Sequence, residues 1–386
     1  MDFNLTAEQL QIRDEITRVC RDFSTEYWRA IDRQKEYPEA FVRKLTELGW
    51  LAALIPEEYG GSGLGITEAS IILEEINRCG GNATACHAQM YTMGTLLRHG
   101  NEEQKKRYLP KIARGELRLQ AFAVTEPNAG SDTTRLETTA TKQGNHYVIQ
   151  GQKIFISRVL ESDLMLLLAR TTRYQDVEDK TRGLSVFLVD LKAAKDAMEV
   201  KPLDLMINHH SNLVFLNGVE VGAENLIGEE GLGFRYIIDG WNAERILVAA
   251  EAIGDGQWFI ERAAQYARER VVFGRPIGSN QGIQFPIAQA YARLKAADLV
   301  RYQAAARFDR KEKCGAEANM AKLLASEAAW DAANACLTTH GGYGFAVDYD
   351  VERKFRETRL LTVAPVSNNL VLAYLGQHVL GMPKSY

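Results

Sequence analysis

The sequence predicts a three-part chain with a helical domain over 1–118, an all-β domain over 119–230 and a helical domain over 231–386. In the first part apolar residues recur with a period of about 3.6 residues, as in amphipathic helices. The middle part changes to short apolar runs separated by turn signals, which indicates strands. The last part consists of long, alanine-rich helical runs with apolar faces, which favour an antiparallel bundle.

The N-terminal part opens with a helix-start signal. Thr6 and Gln9 have the spacing of a capping box, in which the two side chains satisfy free backbone N–H groups at the start of a helix. The helical patterns that follow are interrupted by PEEYGGSGLG. This stretch lacks the last glycine of a G-x-G-x-x-G motif, because Ile66 stands there, so we predict a turn and not a phosphate-binding loop.

The middle part predicts six to eight strands. Turn signals within it are KQGNHY and NGVEV. The strand-like pieces are LQAFAVTE, LETTATK, HYVIQGQKIFIS, LMLLLART, LSVFLVD and NLVFLNGVEV.

The last 27 residues, 360–386, contain no Asp or Glu, although the chain has 50 acidic side chains. The stretch is rich in apolar residues and follows the charged segment VERKFRETR. It therefore predicts a buried, neutral element.

Composition excludes several classes of function. With 46% hydrophobic and 25% charged residues the chain is an ordinary globular one. A net charge of -4 and a pI near 6.1 make nucleic acid an unexpected partner. No apolar run approaches the roughly 18 residues of a membrane span, and the start shows no secretory signal pattern. Five scattered cysteines without C-x-x-C spacing predict reduced thiols in a cytoplasmic compartment.

Common catalytic motifs are missing from the sequence. It contains no P-loop, no H-E-x-x-H zinc motif and no G-x-S-x-G nucleophile elbow. The pair His209–His210 has no second cluster of metal ligands at suitable spacing, so we expect a polar loop there and no metal site.

Four polar, glycine-bearing segments remain, each at the end of a predicted element. Glycine lets the backbone approach a ligand closely, and exposed N–H groups and hydroxyls can bind it. The segments are VTEPNAGSD (124–132), GQKIFIS (151–157), RERVVFGRPIGSNQGIQF (268–285) and THGGYGF (339–345).

Together and in this order, these segments resemble the acyl-CoA dehydrogenase family. They match its V-T-E-P-x-A-G-S-D loop, its G-x-K-x-[WF]-I-[ST] strand end, its E-R-x-x-F-G turn and its G-G-x-G turn, and the resemblance extends from Thr6 to Tyr386. It implies an α+β multidomain fold with an N-terminal all-α domain, a middle antiparallel β-barrel or sandwich and a C-terminal four-helix bundle.

The resemblance also implies FAD as the cofactor, with part of its site supplied by a neighbouring subunit. Phe155 stands where many members have Trp, and it too offers an aromatic face for stacking. The residues implied to bind FAD are Phe122, Val124, Thr125, Gly130, Ser131, Phe155, Ile156, Ser157, Arg270, Phe273, Asn280, Gln281, Thr338, Gly341, Gly342, Ser367 and Asn369. Those implied to contact acyl-CoA are Ser131, Asn242 and Arg245.

The implied reaction is the α,β-dehydrogenation of an acyl-CoA to the trans-2-enoyl-CoA. A carboxylate removes the α-proton, and the β-hydrogen leaves as hydride to N5 of FAD. In most members this base is a glutamate shortly after the glycine turn, in a segment that corresponds to VAPVSN here. Pro365 occupies the glutamate's place, and no acidic residue follows Glu357.

Glu244 is the implied replacement for that base. The isovaleryl-CoA and long-chain branches of the family carry their glutamate in an x-E-R segment, which corresponds to WNAERILVAAEAIG here. The simpler interpretation is that Glu244 merely begins a helix, where a negative charge is favourable. Glu251, two helical turns further on, is an alternative base.

Other functions on the same fold stay open at the level of sequence. They are a flavin-dependent monooxygenase or oxidase, an enoyl-CoA reductase that runs the chemistry backwards, and a non-catalytic subunit. The intact VTEPNAGSD loop disfavours the last of these. For a dehydrogenase the resemblance implies electron-transferring flavoprotein as the electron acceptor and a homotetramer as the assembly.

Overall fold

The computed structural model describes residues 4–384, which fall into two compact units. One unit consists of residues 4–34, 65–83 and 242–384. The other consists of Lys35–Leu64 and Thr84–Trp241.

Helices dominate both ends of the described chain. The capping box at Thr6 is confirmed, because its hydroxyl accepts from the Gln9 N–H at 3.2 Å and the Gln9 side chain accepts from the Thr6 N–H at 3.1 Å. The α-helices are α1 (Ala7–Arg21), α2 (Thr25–Gln34), α3 (Glu39–Glu47), α4 (Ile66–Arg78), α5 (Thr84–His99), α6 (Glu102–Ala113), α7 (Gly233–Glu269), α8 (Gln281–Asp309), α9 (Gly315–His340), α10 (Val351–Leu360) and α11 (Asn368–Tyr374).

Small residues bring the helices of the first unit close together. The alanine-rich α9 packs along α8 and against α10, and α4 packs against α1 and α8. At Gly254 of α7, an added Cβ would lie only 2.1 Å from the Glu74 carbonyl oxygen of α4. Glycine is therefore required where these two helices cross.

A buried ionic cluster joins α4 to α8. The Arg301 guanidinium contacts the Glu74 carboxylate and the Asp298 carboxylate, each at 2.5 Å, and donates to the Ser70 hydroxyl at 2.8 Å. The Arg301 side chain has no exposed surface and Glu74 is 2% exposed. Such a cluster tolerates burial only while all its members are present.

A second buried cluster fixes α10. Lys354 contacts the Asp255 carboxylate of α7 at 2.5 Å and donates to the Gly81 carbonyl at 2.8 Å. Thr358 donates to the same aspartate at 2.5 Å. Burial raises the pKa of Asp255 to about 6, although Lys354 opposes the shift.

The second unit is built on an eight-stranded sheet. Its order is β6-β7-β3-β2-β4-β5-β8, and β1 pairs with β4. The strands are β1 (Leu119–Ala123), β2 (Thr139–Gln143), β3 (His146–Ser157), β4 (Leu164–Arg170), β5 (Leu184–Asp190), β6 (Met198–Pro202), β7 (Ser211–Gly222) and β8 (Leu226–Ile227). In the first unit, β9 (Val271–Val272) and β10 (Arg275–Pro276) form a small hairpin.

The predicted order of helical, β and helical parts is confirmed, and the boundaries at 118 and 230 stay a prediction. The sheet is mostly antiparallel as expected, but β4 pairs in parallel with β1 and, at one position, with β2. The turn predicted at NGVEV is wrong. Gly218 instead forms an irregularity within β7, with φ of +83°, and the strand continues to Gly222.

Both faces of the sheet are covered at β4, which explains its continuous apolar sequence. Leu164, Leu166 and Leu168 pack in one hydrophobic cluster, together with residues of α5 and α6. Met165 and Leu167 point the other way, into a cluster formed by the remaining strands. The alternation follows from the two-residue period of a strand.

The acid-free ending is buried only in its first part. Val366 and Val371 are buried, at 8% and 0% exposed, as expected. The prediction is wrong for the later part of this segment, where Leu380 and Met382 are 68% and 57% exposed in the single chain. Within residues 4–384, no helix is both long and apolar enough to cross a membrane.

We predict that Arg301→Met lowers the free energy of unfolding by about 3–5 kcal/mol, because Glu74 and Asp298 lose their buried cation. Urea denaturation of the purified holoprotein measures this change. As the matched control, Arg18→Met removes an exposed pair with Glu15 and should cost less than about 1 kcal/mol. Equal losses in the two variants would contradict the prediction.

Candidate active site

Glu244 lies inside α7 and not at its start. The helix begins at Gly233, so ten residues, or almost three turns, separate its first residue from Glu244. The helix-start interpretation is therefore wrong, because the stabilisation of a negative charge by the helix dipole is confined to the first turn. The Glu244 side chain is also buried, at 6% exposed. A buried carboxylate in this position requires nearby positive charge or hydrogen-bond donors.

Arg245 is the first cation beside this glutamate. It is 9% exposed, and its guanidinium donates to the Asn242 side-chain oxygen at 3.3 Å. Burial lowers the pKa of Arg245, and the charge of Glu244 opposes that shift. The two residues predicted to contact acyl-CoA, Asn242 and Arg245, thus lie together on one turn of α7.

Lys322 of α9 is a buried cation whose electrostatic environment includes Arg245, Glu327 and Glu244, and sequence analysis did not identify it. Its side chain is fully buried. The ammonium group donates to the Val366 carbonyl and to the Asn368 side-chain oxygen, both at 2.7 Å. Its only signal in the sequence is a lone charged residue in the apolar run NMAKLLASEAAW.

Glu251, the alternative base, lies two turns further along α7. It is fully buried, and its carbonyl oxygen accepts from the Asn77 side chain of α4 at 3.1 Å. The next carboxylate on the same face, Asp255, belongs to the cluster with Lys354. Towards the C-terminal end of α7, the residues on this face thus pack against neighbouring helices.

The segment around Pro365 lies against α9. Lys322 holds Val366 and Asn368 from α9, and Ser367 caps α11 by accepting from the Leu370 N–H at 3.3 Å. Ser367 also lines a surface cavity of about 460 Å³ together with Asn369. The predicted flavin contacts Ser367 and Asn369 are therefore accessible from outside the chain.

In the second unit, a buried ion pair anchors the VTEPNAGSD loop to β3. The Lys153 ammonium contacts the Glu126 carboxylate at 2.8 Å and donates to the Val124 carbonyl at 3.0 Å. Glu126 also accepts from the backbone N–H groups of Glu137 and Thr138. Burial lowers the pKa of Lys153 to about 8, against the opposing charge of Glu126. Both residues lie in the quoted motifs, yet sequence analysis did not assign them this anchoring role.

The anchored loop keeps its ligand-binding candidates accessible. Gly130 and Ser131 are exposed, and an added Cβ at Gly130 would meet no atom within 4 Å. Thr125 is half-buried, and its carbonyl accepts from the Ile154 N–H at 2.9 Å. Phe122 and Val124 are half-buried beside them.

The end of β3 presents Phe155 to solvent. Its ring is 57% exposed, and its backbone has φ of +59°, a left-handed conformation that is uncommon for an aromatic residue. Ser157 is half-buried, with its hydroxyl 3.3 Å from that of Ser211. The Ile156 side chain packs in the sheet core, so only its main chain can face a ligand.

The remaining candidates lie in the first unit. Phe273 is fully exposed, with φ of +53°, and the exposed Arg270 stacks on Tyr343 at 5.7 Å. The Arg275 guanidinium donates to the Asn280 side-chain oxygen at 2.9 Å. Gln281 follows as the first residue of α8. Thr338, Gly341 and Gly342 are exposed, and an added Cβ on either glycine would meet no atom within 4 Å.

Each unit separately presents residues that suit a large cofactor with a planar ring system. In the second unit the exposed Phe155 ring can stack, and the open space at Gly130 permits close approach of a ligand to the backbone. In the first unit, Gly341 and Gly342 offer similar open space. A strained aromatic residue at the end of a strand is also a common feature of functional sites.

The histidine pair lies in the loop before β7. The Nδ1 atom of His210 lies 2.6 Å from a carboxylate oxygen of Glu161. Over residues 4–384 there is no group of three or more His, Cys, Asp or Glu side chains arranged to hold a metal ion.

Three domain families match this chain in succession. The acyl-CoA dehydrogenase N-terminal domain matches residues 6–116, the middle domain 121–217 and the C-terminal domain 231–379. Together they span most of the sequence.

Individual relatives match along nearly the whole length. Acyl-CoA dehydrogenase FadE12 of Mycobacterium tuberculosis is 34% identical, covering 98% of this chain and 97% of the relative. The caffeyl-CoA reductase-Etf complex subunit CarC of Acetobacterium woodii is 35% identical, covering 90% and 93%. A solved structure of a glutaryl-coenzyme A dehydrogenase with glutaryl-CoA superposes with a TM-score of 0.92 and 32% identity, covering 100% and 98%.

The domain matches and the full-length relatives agree with the four motifs and with the order of helical and β parts. The chain therefore belongs to the acyl-CoA dehydrogenase family of flavoproteins, oxidoreductases that act on CH–CH groups.

Proposed function

We propose that this enzyme oxidises a saturated acyl-CoA thioester to the trans-2-enoyl-CoA, with Glu244 as the base that removes the α-proton. The observation that carries the proposal is a carboxylate buried within α7, beside Arg245, in a chain without any acidic residue after Glu357. An interior glutamate is costly to bury, and unlike Glu74 this one lies next to the residues assigned to acyl-CoA binding, which supports the proposal.

The chemistry requires a desolvated base and stabilisation of the developing enolate charge. A thioester α-proton is weakly acidic, so a base held close and out of water accelerates its removal. Glu244 meets this requirement by burial, and its place on a long helix limits its movement. Asn242 and Arg245, bonded to each other, are the side chains we assign to acyl-CoA binding. Bound FAD supplies the hydride acceptor for the β-hydrogen.

We assign FAD binding to the accessible residues of both units. In the second unit, the hydroxyls of Thr125 and Ser131 and the backbone N–H of Gly130 are hydrogen-bond donors for the cofactor. The other residues that we assign there are Phe122, Val124, Phe155, the main chain of Ile156, and Ser157. In the first unit the assigned residues are Arg270, Phe273, Asn280, Gln281, Thr338, Gly341, Gly342, Ser367 and Asn369.

We predict that Glu244→Gln retains FAD but reduces it with acyl-CoA about 1000-fold more slowly, because the proton-accepting group is lost. Anaerobic stopped-flow mixing with a panel of acyl-CoAs, followed by flavin absorbance, measures this rate. The visible spectrum before mixing reports cofactor binding.

Glu251→Gln is the matched control for this experiment. It changes a buried glutamate of the same helix and should leave flavin reduction within about tenfold of wild type. Loss of reduction confined to Glu251→Gln would transfer the role of base to Glu251. Wild-type rates in both variants would show that neither of these α7 glutamates is the catalytic base.

An enoyl-CoA reductase is a second candidate, favoured by the similarity to the caffeyl-CoA reductase subunit. It would use the same groups in reverse, with Glu244 protonating the α-carbon. Reduction of a trans-2-enoyl-CoA by the photoreduced enzyme, with little flavin reduction by the saturated thioester, would favour this direction. NADH-driven flavin reduction followed by oxygen transfer would instead favour a monooxygenase and contradict both the dehydrogenase and the reductase.

The proposed electron acceptor is electron-transferring flavoprotein. The caffeyl-CoA reductase relative is named as part of a complex with Etf, which supports this assignment. We also propose a cytoplasmic location, in keeping with five free cysteines.

We propose a homotetramer, in which Arg270 and Phe273 reach the FAD of a neighbouring subunit. Phe273 is fully exposed, and Phe285 and Phe345 are 60% and 71% exposed on the same unit. Large exposed apolar side chains are candidates for a surface that a partner covers.

Phe273→Ser should therefore weaken assembly and FAD retention. We expect a shift from tetramer towards smaller species in light scattering and at least a tenfold loss of FAD affinity. Leu160→Ser, a change at a residue of the second unit that is 61% exposed, is the control and should alter neither property. A Phe273→Ser variant that remains tetrameric with full FAD content would contradict the assignment.

A further inference from the structure

A β-bulge places the Phe155 ring outside the sheet. Between Lys153 and Ile156, two residues of β3 stand opposite a single residue of β7, so the regular pairing of the two strands is interrupted. Bulges of this kind redirect a side chain and are frequent next to active sites. The backbone of Phe155 lies in the left-handed region at this bulge, where glycine is the favoured residue, and its ring is exposed. Contacts with the surrounding chain must therefore hold this conformation.

A first support of the bulge is the VTEPNAGSD loop. The Ile154 N–H, within the bulge, donates to the Thr125 carbonyl of this loop at 2.9 Å. The start of the loop is itself fixed to β3 by the ion pair between Lys153 and Glu126. The bulge thus connects the loop that we assign to FAD binding with the strand end that carries Phe155.

A second support of the bulge is Asn212, the second residue of β7. Asn212 is buried, at 2% exposed, and its side-chain amide donates to the Ile156 carbonyl at 3.0 Å and to the His210 carbonyl at 2.8 Å. The Arg158 N–H donates to the same His210 carbonyl at 2.9 Å. One buried amide therefore joins the main chain just after Phe155 to the loop before β7.

The main chain that Asn212 joins is strained at three places. Phe155, Arg158 and His210 are not glycines, yet they have positive φ values of +59°, +59° and +51°. Such conformations cost free energy and persist where surrounding contacts hold them, commonly at functional sites. Asn212 bonds the carbonyl of His210 itself and that of Ile156, which directly follows Phe155. Its amide is thus placed to hold the strained conformation of both segments.

We propose that Asn212 is a positioning residue for the flavin site: its amide holds the bulge that directs the Phe155 ring to the isoalloxazine of FAD. This inference rests on the proposed assignment of Phe155 to FAD binding. A ring that is already held in its bound orientation loses less conformational entropy when the cofactor binds. Asn212 acts on the cofactor only through the main chain of β3.

The test is a double-mutant cycle between Asn212 and Phe155, with the dissociation constant of FAD as the measured quantity. Asn212→Leu is close in size but cannot donate, and it should weaken FAD binding about tenfold, because the hydrogen bonds that hold the ring are lost. Phe155→Gly should also weaken binding, because the ring itself is lost. In the Phe155→Gly background, Asn212→Leu should cost less than about threefold more, because no ring remains to be positioned.

A purely structural role of Asn212 predicts the same loss of affinity in both backgrounds, and that result would overturn the proposal. Asn217→Leu, the same change at an exposed asparagine of β7, is the matched control and should leave FAD affinity unchanged. If Phe155→Gly weakens FAD binding and Asn212→Leu does not, the inference fails alone. If Phe155→Gly leaves FAD affinity unchanged, the proposed FAD contact of Phe155 fails, and the inference fails with it.

The visible circular dichroism of the FAD-saturated protein gives a second readout, because it depends on the surroundings of the flavin ring. The spectrum of Asn212→Leu should differ from that of wild type in the same direction as the spectrum of Phe155→Gly. A wild-type spectrum in Asn212→Leu would show that the Phe155 ring keeps its position without the amide, and it would contradict the proposal.

A comparison of Phe155→Gly with Phe155→Ala keeps the proposal testable if Asn212→Leu does not fold. Both variants lack the ring, but only alanine has a Cβ, which disfavours a positive φ. If the bulge holds residue 155 in the left-handed region, Phe155→Gly should unfold at a Tm about 1–2 °C above that of Phe155→Ala, with FAD in excess. An equal or higher Tm for Phe155→Ala would overturn the proposal.

Discussion

A charged group that leaves water must find compensating charge or hydrogen bonds inside the protein, and this constraint organises both units. Arg301 satisfies it with two carboxylates, and Lys153 satisfies it with Glu126. In each of these clusters the buried cation has at least one carboxylate partner. Lys322 differs, because both of its hydrogen-bond acceptors are neutral oxygens.

These clusters also explain how accessible residues keep a defined geometry. Glu126 and Lys153 fix the base of the VTEPNAGSD loop, while Gly130 and Ser131 at its tip stay exposed. Phe155 follows Lys153 on the same strand, and its ring is likewise open. A loop that is anchored at its start and open at its tip suits ligand binding, since little conformational entropy is lost when the ligand binds.

Local patterns predicted much of this structure. The capping box at Thr6 and the hairpin turn at KQGNHY follow from interactions between residues close in sequence. The start of α7 could not be predicted in this way, because Gly233 and Gly240 normally interrupt helices. Gly240 is accommodated where an added Cβ would lie 3.3 Å from the Arg98 side chain. The helix nevertheless starts at Gly233, so Glu244 lies in its interior.

The sequence by itself determined the family, the order of helical and β parts, and the absence of a carboxylate at Pro365, because these are properties of residue identity and spacing. It also nominated Glu244 through its x-E-R segment. Only the tertiary structure decided that Glu244 is buried in mid-helix, that Ile156 packs inward and that Lys322 holds the segment after Pro365. These properties arise from contacts between residues far apart in the chain, and burial and electrostatic partnership are defined only once those contacts form.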